Sequence, residues 1–466
     1  MNNDKKNACG KYFGTDGFRG EANVDLTSLH AYKVGRFLGW YYAGKTNARP
    51  KILIGKDTRR SSYMLEYSIV AGITASGADA YMLHVTTTPS VSYVTRRDEF
   101  DCGIMITASH NPYYDNGIKI VNKYGEKLDD KIVSMIESYL DGDLSAFNVT
   151  GDDLPVATRE NIGLIVDYVA GRNRYVGYLI SLASHSYKNL KIGLDCANGA
   201  AWSIAKAAFD ALGAQTYVIG SSPNGLNIND SVGSTHIDNL TKYVKENQLD
   251  VGFAFDGDAD RCIAVDENGN VVDGDKIMYI LAKRLKSCGN LNKDTVVLTV
   301  MSNMGLLKAF DNCGISYEIT SVGDRFVYQK MQENAYGLGG EQSGHIIIGK
   351  YATTGDAILT AIMLTEEMKD NKTNLSKLCE NVKLFPQITE NLAVKNKDKV
   401  MEDAFVLASL REVDENLGDN GRVLLRASGT EPVVRIMVEA SSYEICTQCI
   451  ETIKNAIIKR GLNAND

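Results

Sequence analysis

The chain has no excess of basic residues: 50 lysines and arginines stand against 58 aspartates and glutamates, a formal charge of −8. A generic nucleic-acid binder needs a basic surface, so that class is excluded, although a local basic pocket for a small phosphorylated ligand is not. No segment approaches the roughly 20 apolar residues that a membrane span requires. The opening "MNNDKKNACG" carries no apolar signal core. These absences lead us to expect a soluble, cytoplasmic protein without nucleic-acid or membrane partners. A disulfide framework is not expected either, because the nine cysteines are odd in number and scattered through 466 residues. One pair, Cys446 and Cys449 in "EICTQCIETI", has redox or zinc spacing. It lies in a helix-period stretch with no second Cys or His pair, so both cysteines are read as helix positions. No stretch is biased enough to be disordered.

What is present is an ordinary globular balance, 44% hydrophobic and 23% charged. The length suggests about three or four domains. One unit recurs three times. Each copy begins with an apolar strand running into a polar loop: "KILIGKDTR" at 51, "LKIGLDCANG" at 190 and "TVVLTVMSN" at 295. A helix-period stretch follows, ended by a glycine that leads into a second strand: "GADAYMLHV" at 77, "GAQTYVIGS" at 213, "GISYEITSV" at 314. Strand, helix, glycine and strand describe a βαβ unit and predict mixed or parallel sheets covered by helices. A further strand then opens into a loop of reactive residues: "DCGIMI" into "TASHNP", "DVGFAF" into "DGDADR", "AYGLG" into "GEQSGH". Loops at the carboxyl ends of such strands are where α/β domains place ligands.

The expected architecture is therefore α/β, with three related domains of mixed sheets and a smaller C-terminal α+β domain around one central cleft. The boundaries read as 1–154, 155–256, 257–370 and 376–466, with "KDNKTN" as a polar linker before the last. The final unit contains "RVLLRA", a Gly-Thr loop, "VVRIMVEA" and a closing helix.

Each loop has candidate chemistry and a plainer alternative. Ser109 and His110 stand side by side in "TASHNP", yet there is no Gly-x-Ser-x-Gly elbow, and adjacent side chains rarely face one another. "FDGDADR" puts Asp256, Asp258 and Asp260 on alternate residues after a buried-looking strand, a costly crowding unless a cation or strong donors compensate. Oxygen-only ligands suit a hard ion, Mg²⁺ or Ca²⁺. An EF-hand fails, although Glu267 falls at the twelfth position, because Arg261 stands where that loop needs glycine. A haloacid-dehalogenase-type phosphatase would share Asp-x-Asp after a strand, but Asp260 and Arg261 break its pattern. In "GGEQSGH", Glu341 and Ser343 suit a polyhydroxy ligand, whereas His345 reads equally as a partly buried structural histidine. "RASGTEPVVR" offers Arg426, Ser428, Gly429, Thr430 and Arg435 as a phosphate cradle, against a plain turn with solvated charges. Arg19 in "GTDGFRG" and Lys119 in "NGIK" are cations that could face the cleft or lie on the surface.

Taken together, and in this order over essentially the whole chain, the four loops resemble those of the α-D-phosphohexomutase superfamily. "TASHNP" is similar to its phosphoserine loop, "DGDADR" to its magnesium loop, "GEQSGH" to its sugar-recognition loop and "RASGTEP" to its phosphate-binding loop. "GTDGFRG", "SVGDRFV", Gln342 and "SGTEP" resemble the bacterial glucosamine branch; Ala259 and Ala427 depart from it, since that branch often has Gly and a larger residue there.

The resemblance implies an isomerase that moves a phosphate between O6 and O1 of glucosamine through a phosphorylated Ser109 and a 1,6-bisphosphate, supplying amino-sugar nucleotide synthesis. It implies one Mg²⁺ held by Ser109, Asp256, Asp258 and Asp260, and glucosamine or glucose 1,6-bisphosphate as activator. Arg19 and Lys119 would stabilise the transferring phosphate, with Lys119 or His110 available for acid/base work. Glu341, Ser343 and His345 would contact the sugar, and Arg426, Ser428, Gly429, Thr430 and Arg435 the non-reacting phosphate. The partners implied are hexosamine phosphates, and a homodimer is compatible. A glucose or mannose phosphate mutase, a phosphatase and a silent sugar-phosphate sensor stay open at this point.

Overall fold

The structure, a computed structural model, describes residues 10–45, 48–428 and 432–464. The chain forms two compact units. One runs to Met301 and takes in Ile315–Glu380, and the other joins Ser302–Gly314 to the stretch from Asn381 onward.

The threefold repeat is visible in the strand pairing. Strand Lys51–Lys56 lies parallel between Asp79–Val85 and Cys102–Ile106. Lys191–Asp195 lies in the same way between Gln215–Ile219 and Val251–Phe255. Thr295–Thr299 lies between Ser316–Thr320 and Leu338–Gly340. The helix of each crossover ends in a glycine of positive φ: Gly77 at 85°, Gly213 at 92° and Gly314 at 63°. Only a residue without Cβ turns the chain this way at little cost, so the glycines expected from sequence are the helix stops.

Each of these three sheets also has a strand antiparallel to the third. Asp115–Asn122 pairs with Cys102–Ile106, Cys262–Asp266 with Val251–Phe255, and Ile346–Ile348 with Leu338–Gly340. The three reactive loops are thus equivalent hairpin connections. Two expected boundaries need correction for this reason. A division at 256/257 would split the hairpin of the second sheet, which continues to Val271–Val272. A division at 154/155 would detach Ile165–Asp167, which pairs parallel to Asp79–Val85 at the edge of the first sheet. The helix Met304–Cys313, expected in the third domain, clusters instead with the C-terminal unit. Its first N–H, at Met304, donates to buried Glu439, while Asn303 exchanges hydrogen bonds with Phe385.

The C-terminal unit has a three-stranded antiparallel sheet, Gln387–Ala393, Val433–Glu439 and Arg422–Ala427, with Val433–Glu439 central. Helices Ala404–Leu417 and Tyr443–Lys459 contribute Val406, Val413, Ile450 and Ile453 to its core. Cys446 and Cys449 are helix positions there, as expected, and the Cys446 thiol donates to Pro386 O. No described helix is long and apolar enough to cross a membrane.

The first core depends on two helices in backbone contact, Ser28–Ala43 and Arg60–Ala75. A Cβ on Gly35 would stand 2.2 Å from Ile69 O, and one on Gly72 would stand 2.2 Å from Tyr32 O. Gly72→Ala should therefore push the helices apart and lower stability by about 1–3 kcal/mol, read as a lower midpoint of urea unfolding.

Candidate active site

The hairpin after Cys102–Ile106 turns at Ser109, which is 1% exposed and held at φ 52°. A left-handed backbone costs an L-residue roughly 1–2 kcal/mol, so the surroundings must enforce it. Thr107 Oγ1 accepts the Ser109 N–H at 3.0 Å. The Ser109 hydroxyl donates to Asp256 Oδ2 at 2.6 Å. His110 Nδ1 does lie 3.3 Å from Ser109 Oγ, contrary to the expectation that the neighbours would not face each other. That nitrogen already accepts from Arg261 Nη1 at 3.0 Å, which leaves the ring proton on Nε2. Burial, then Arg261 and Arg19, push the imidazole down to about 4, so it is neutral at pH 7. The arrangement is not a serine–histidine nucleophile pair.

Across the loop, one oxygen from each of Asp256, Asp258 and Asp260 can be chosen so that all lie within 4.8 Å of one another, and all three residues are buried. At an effective dielectric constant of about 20, unit charges that close repel by roughly 3–4 kcal/mol per pair. Lys119 answers part of this, with Nζ 2.9 Å from Asp258 Oδ2, 3.1 Å from Asp260 Oδ2 and 3.1 Å from Asp16 Oδ2. Burial alone would push Lys119 down, but the three acids hold it well above its ordinary value. Asp256 accepts from Ser109 Oγ and from the backbone N–H groups of Asp260 and Arg261. Burial, then Asp260 and Asp258, push its carboxyl well up. Asp258 Oδ1 and Asp260 Oδ1 are buried with no hydrogen-bond partner among the described residues. Arg261 Nε lies 3.9 Å from Asp260 Oδ1, and buried carboxylate oxygens that accept no hydrogen bond, beside a third carboxylate and a hydroxyl, form the hard donor set that Mg²⁺ takes. The residues present fit the ion.

Arg19 pairs with Asp16, and its Nη1 lies 3.4 Å from Asn111 Oδ1. Lys127 extends the network, 3.3 Å from Asp16 Oδ1 and 2.7 Å from Asp324 Oδ1.

The third hairpin adjoins the second through backbone: Cys262 N–H donates to Gly344 O at 3.0 Å, and Arg261 bridges His345. Ser343 is exposed and Glu341 half-buried, with Glu341 Oε1 accepting the Gly323 N–H at 3.0 Å. His345, grouped with these two in the sequence, is 3% exposed and does not share their aspect. Its Nε2 accepts the Gly355 N–H at 3.0 Å, and its Nδ1 faces Asp260 Oδ2 at 3.7 Å. It supports Asp260, one of the three clustered aspartates.

In the C-terminal unit, Arg426 and Arg435 stand directly opposite on paired strands, hence on one face of the sheet. Ser428 is buried, with its N–H donating to Val433 O and its carbonyl accepting from Lys397. Gly429 and Thr430 lie outside the described residues.

Four residues that sequence reasoning missed touch these groups. Arg59 and Asn229 donate to the loop of Ser109, and Thr88 donates through both N–H and Oγ1 to Asp258. Arg261 holds His110. "KDTR" follows the first strand directly and could have flagged Arg59; Asn229 has no comparable signal.

Comparison with known proteins agrees along the chain. Residues 10–146, 173–269 and 273–385 match the phosphoglucomutase/phosphomannomutase alpha/beta/alpha domains I, II and III, and 390–456 match the C-terminal domain. Phosphoglucosamine mutase of Lachnospira eligens is 59% identical over 454 residues, covering 97% of this chain and 99% of that protein. Phosphoglucosamine mutase of Lachnoclostridium phytofermentans is 55% identical over 452 residues, covering 97% and 99%. A solved phosphoglucomutase/phosphomannomutase family protein of Burkholderia thailandensis superposes with a TM-score of 0.78 at 22% identity, covering 96% of this chain and 98% of that one; it speaks to the fold alone.

The crowding of the aspartates gives a direct test. In EDTA, Asp256→Asn should melt several degrees above the parent, because one of three mutually repelling charges is gone. Added Mg²⁺ should raise the parent and leave the variant nearly unmoved in scanning fluorimetry; a parent indifferent to Mg²⁺ would contradict the site.

Proposed function

We propose, starting from the fact that the chain belongs to the phosphoglucomutase/phosphomannomutase family, that it is a phosphoglucosamine mutase, an isomerase interconverting glucosamine 6-phosphate and glucosamine 1-phosphate. The observation that carries the reaction class is the Ser109 hydroxyl 2.6 Å from Asp256, beside two buried carboxylate oxygens that accept no hydrogen bond among the described residues. The substrate choice is supported by likeness to the Lachnospira enzyme across nearly the whole chain.

Ser109 carries the phosphoryl group. In the forward direction the bond from phosphorus to Ser109 Oγ breaks as one forms to the sugar O1, whose proton departs. The resulting 1,6-bisphosphate turns over in the site, and its 6-phosphate returns to Ser109 as O6 takes a proton. A sugar 1,6-bisphosphate, of glucosamine or glucose, recharges a Ser109 that has lost its phosphate. Asp256, Asp258, Asp260 and the Ser109 oxygen hold Mg²⁺, which when bound neutralises charge on the phosphate. Lys119, kept protonated by three carboxylates, and Arg19 supply fixed positive charge next to the transferring group. Charge neutralisation and positioning dominate phosphoryl transfer, so fixed cations matter more here than a strong base. His110 orients Arg261 in this scheme. Glu341 and Ser343 bind sugar hydroxyls, while His345 steadies Asp260. Arg426, Ser428, Gly429, Thr430 and Arg435 bind the phosphate that is not reacting.

Intact-mass measurement of the purified protein should find one added phosphate, and Ser109→Ala should lose both that mass and the mutase activity; an active Ser109→Ala enzyme would overturn the mechanism. Across a panel of hexose 6-phosphates, glucosamine 6-phosphate should turn over fastest. Faster turnover of the glucose or mannose phosphates would move the chain to another substrate within the same family.

A further inference from the structure

We infer that Arg59 and Asn229 form a clamp on the main chain of the phosphate-carrying loop, and that this clamp sets the direction in which Ser109 Oγ points. The inference rests on the reading of Ser109 as phosphate carrier.

Arg59 follows the first strand of the first repeat and is fully buried. A guanidinium has five N–H donors, and each has a partner here. Nε donates to Asp57 Oδ2 at 2.8 Å. Nη1 donates to Pro112 O and, at 3.0 Å, to Asp115 O. Nη2 donates to Ser109 O at 3.0 Å and to Asn111 O at 2.9 Å. Four of the five acceptors are main-chain carbonyls of the segment from Ser109 to Asp115. Asp57 is tied to the same loop, since Thr107 Oγ1 donates to it at 2.8 Å and itself accepts the Ser109 N–H.

Asn229 reaches the same carbonyls from the second repeat. Its Nδ2 donates to Ser109 O at 2.8 Å and to Asn111 O at 3.0 Å. It is 7% exposed, its φ is 58°, and its own N–H donates to Ala197 O at 2.8 Å. The Ser109 and Asn111 carbonyls therefore each receive one donor from each repeat. Gly257, between two of the clustered aspartates, leaves room for this: a Cβ there would stand 2.5 Å from Ser109 O and 3.1 Å from Asn229 Nδ2.

The carbonyl of a residue with positive φ is fixed by these donors, and with it the Cα–Cβ direction that carries Oγ toward Asp256. Neither Arg59 nor Asn229 reaches the hydroxyl in this network. They are positioning residues, and Asn229 joins the serine loop to the second repeat without entering the reaction. A lysine at 59 keeps the charge but lacks the planar fork that spans two carbonyls.

The test uses the full-length enzyme as Asn229→Ala, Arg59→Lys and the double variant, each incubated with Mg²⁺ and glucose 1,6-bisphosphate. Intact mass reads the phosphate on Ser109, and steady-state kinetics read kcat and KM. Asn229→Ala should lower kcat by about 10- to 100-fold, as a misplaced reacting group does, with KM within about twofold, because no sugar contact is removed. The double variant should lose less than the product of the single losses, because both residues grip the same two carbonyls. A kcat within threefold of the parent for Asn229→Ala, or losses that multiply in the double variant, would overturn the clamp. Should Asn229→Ala fail to fold, Arg59→Lys alone decides by the same split of kcat from KM. A parent that never acquires phosphate on Ser109 would instead overturn the reading beneath it, so the two failures are distinct.

Discussion

Three carboxylates within 4.8 Å of one another, all removed from water, are the condition around which the larger unit is arranged. No apolar packing offsets such repulsion; only positive charge, donors or a cation can. Lys119 lies on the fourth strand of the first sheet, not in the aspartate loop, and Thr88 opens the helix Thr88–Arg97 in the first repeat. Part of the compensation for a charge cluster in one repeat therefore comes from another, and ion pairs link the two sheets. The compensation is incomplete, since Asp258 Oδ1 and Asp260 Oδ1 accept no hydrogen bond among the described residues, and a donor set left so is compatible with a hard ion.

The repeat explains how such different loops come to meet. In each sheet the chemistry sits where the third parallel strand doubles back into an antiparallel fourth. Strand pairing uses main-chain groups, so the hairpin tips are free to carry whatever side chains they need. The first carries a hydroxyl, the second three carboxylates, and the third a carboxylate and a hydroxyl with a histidine turned inward. A scaffold repeated with different tips brings three kinds of side-chain group to equivalent positions.

Much of this was legible in the sequence. The order of strand, helix, glycine and strand has a physical cause in the left-handed turns at Gly77, Gly213 and Gly314. The aspartates were legible because alternate acids after an apolar strand have few plain explanations. The fourth strands were not, since "NGIKIVN" and "CIAVD" carry no sign of which sheet receives them, and so the boundary fell inside a hairpin. Arg59 and Asn229 were hidden for a different reason: their partners are carbonyls, which every residue has, so no pairing of residue types betrays them. Of the two readings that the sequence offered for His345, the buried position agrees with the structural one. At Ala259, where the resembling branch often has glycine, the structure holds φ at 56°, and the chain accommodates a methyl group in a conformation that suits glycine.

The pairing of Cys262 with Gly344 has a consequence for how this enzyme could change its diet. The Glu341–Gly344 turn and the loop of clustered aspartates share a hydrogen bond and a bridge from Arg261 to His345. Their backbones are linked, so lengthening or reshaping the turn would disturb the loop that carries the acids. Altering an outward side chain such as Ser343 would not, because it stands clear of that shared backbone. A lineage drifting toward a new hexose would therefore find its viable steps among single side-chain exchanges, and insertions there would be selected against even where they improved the fit.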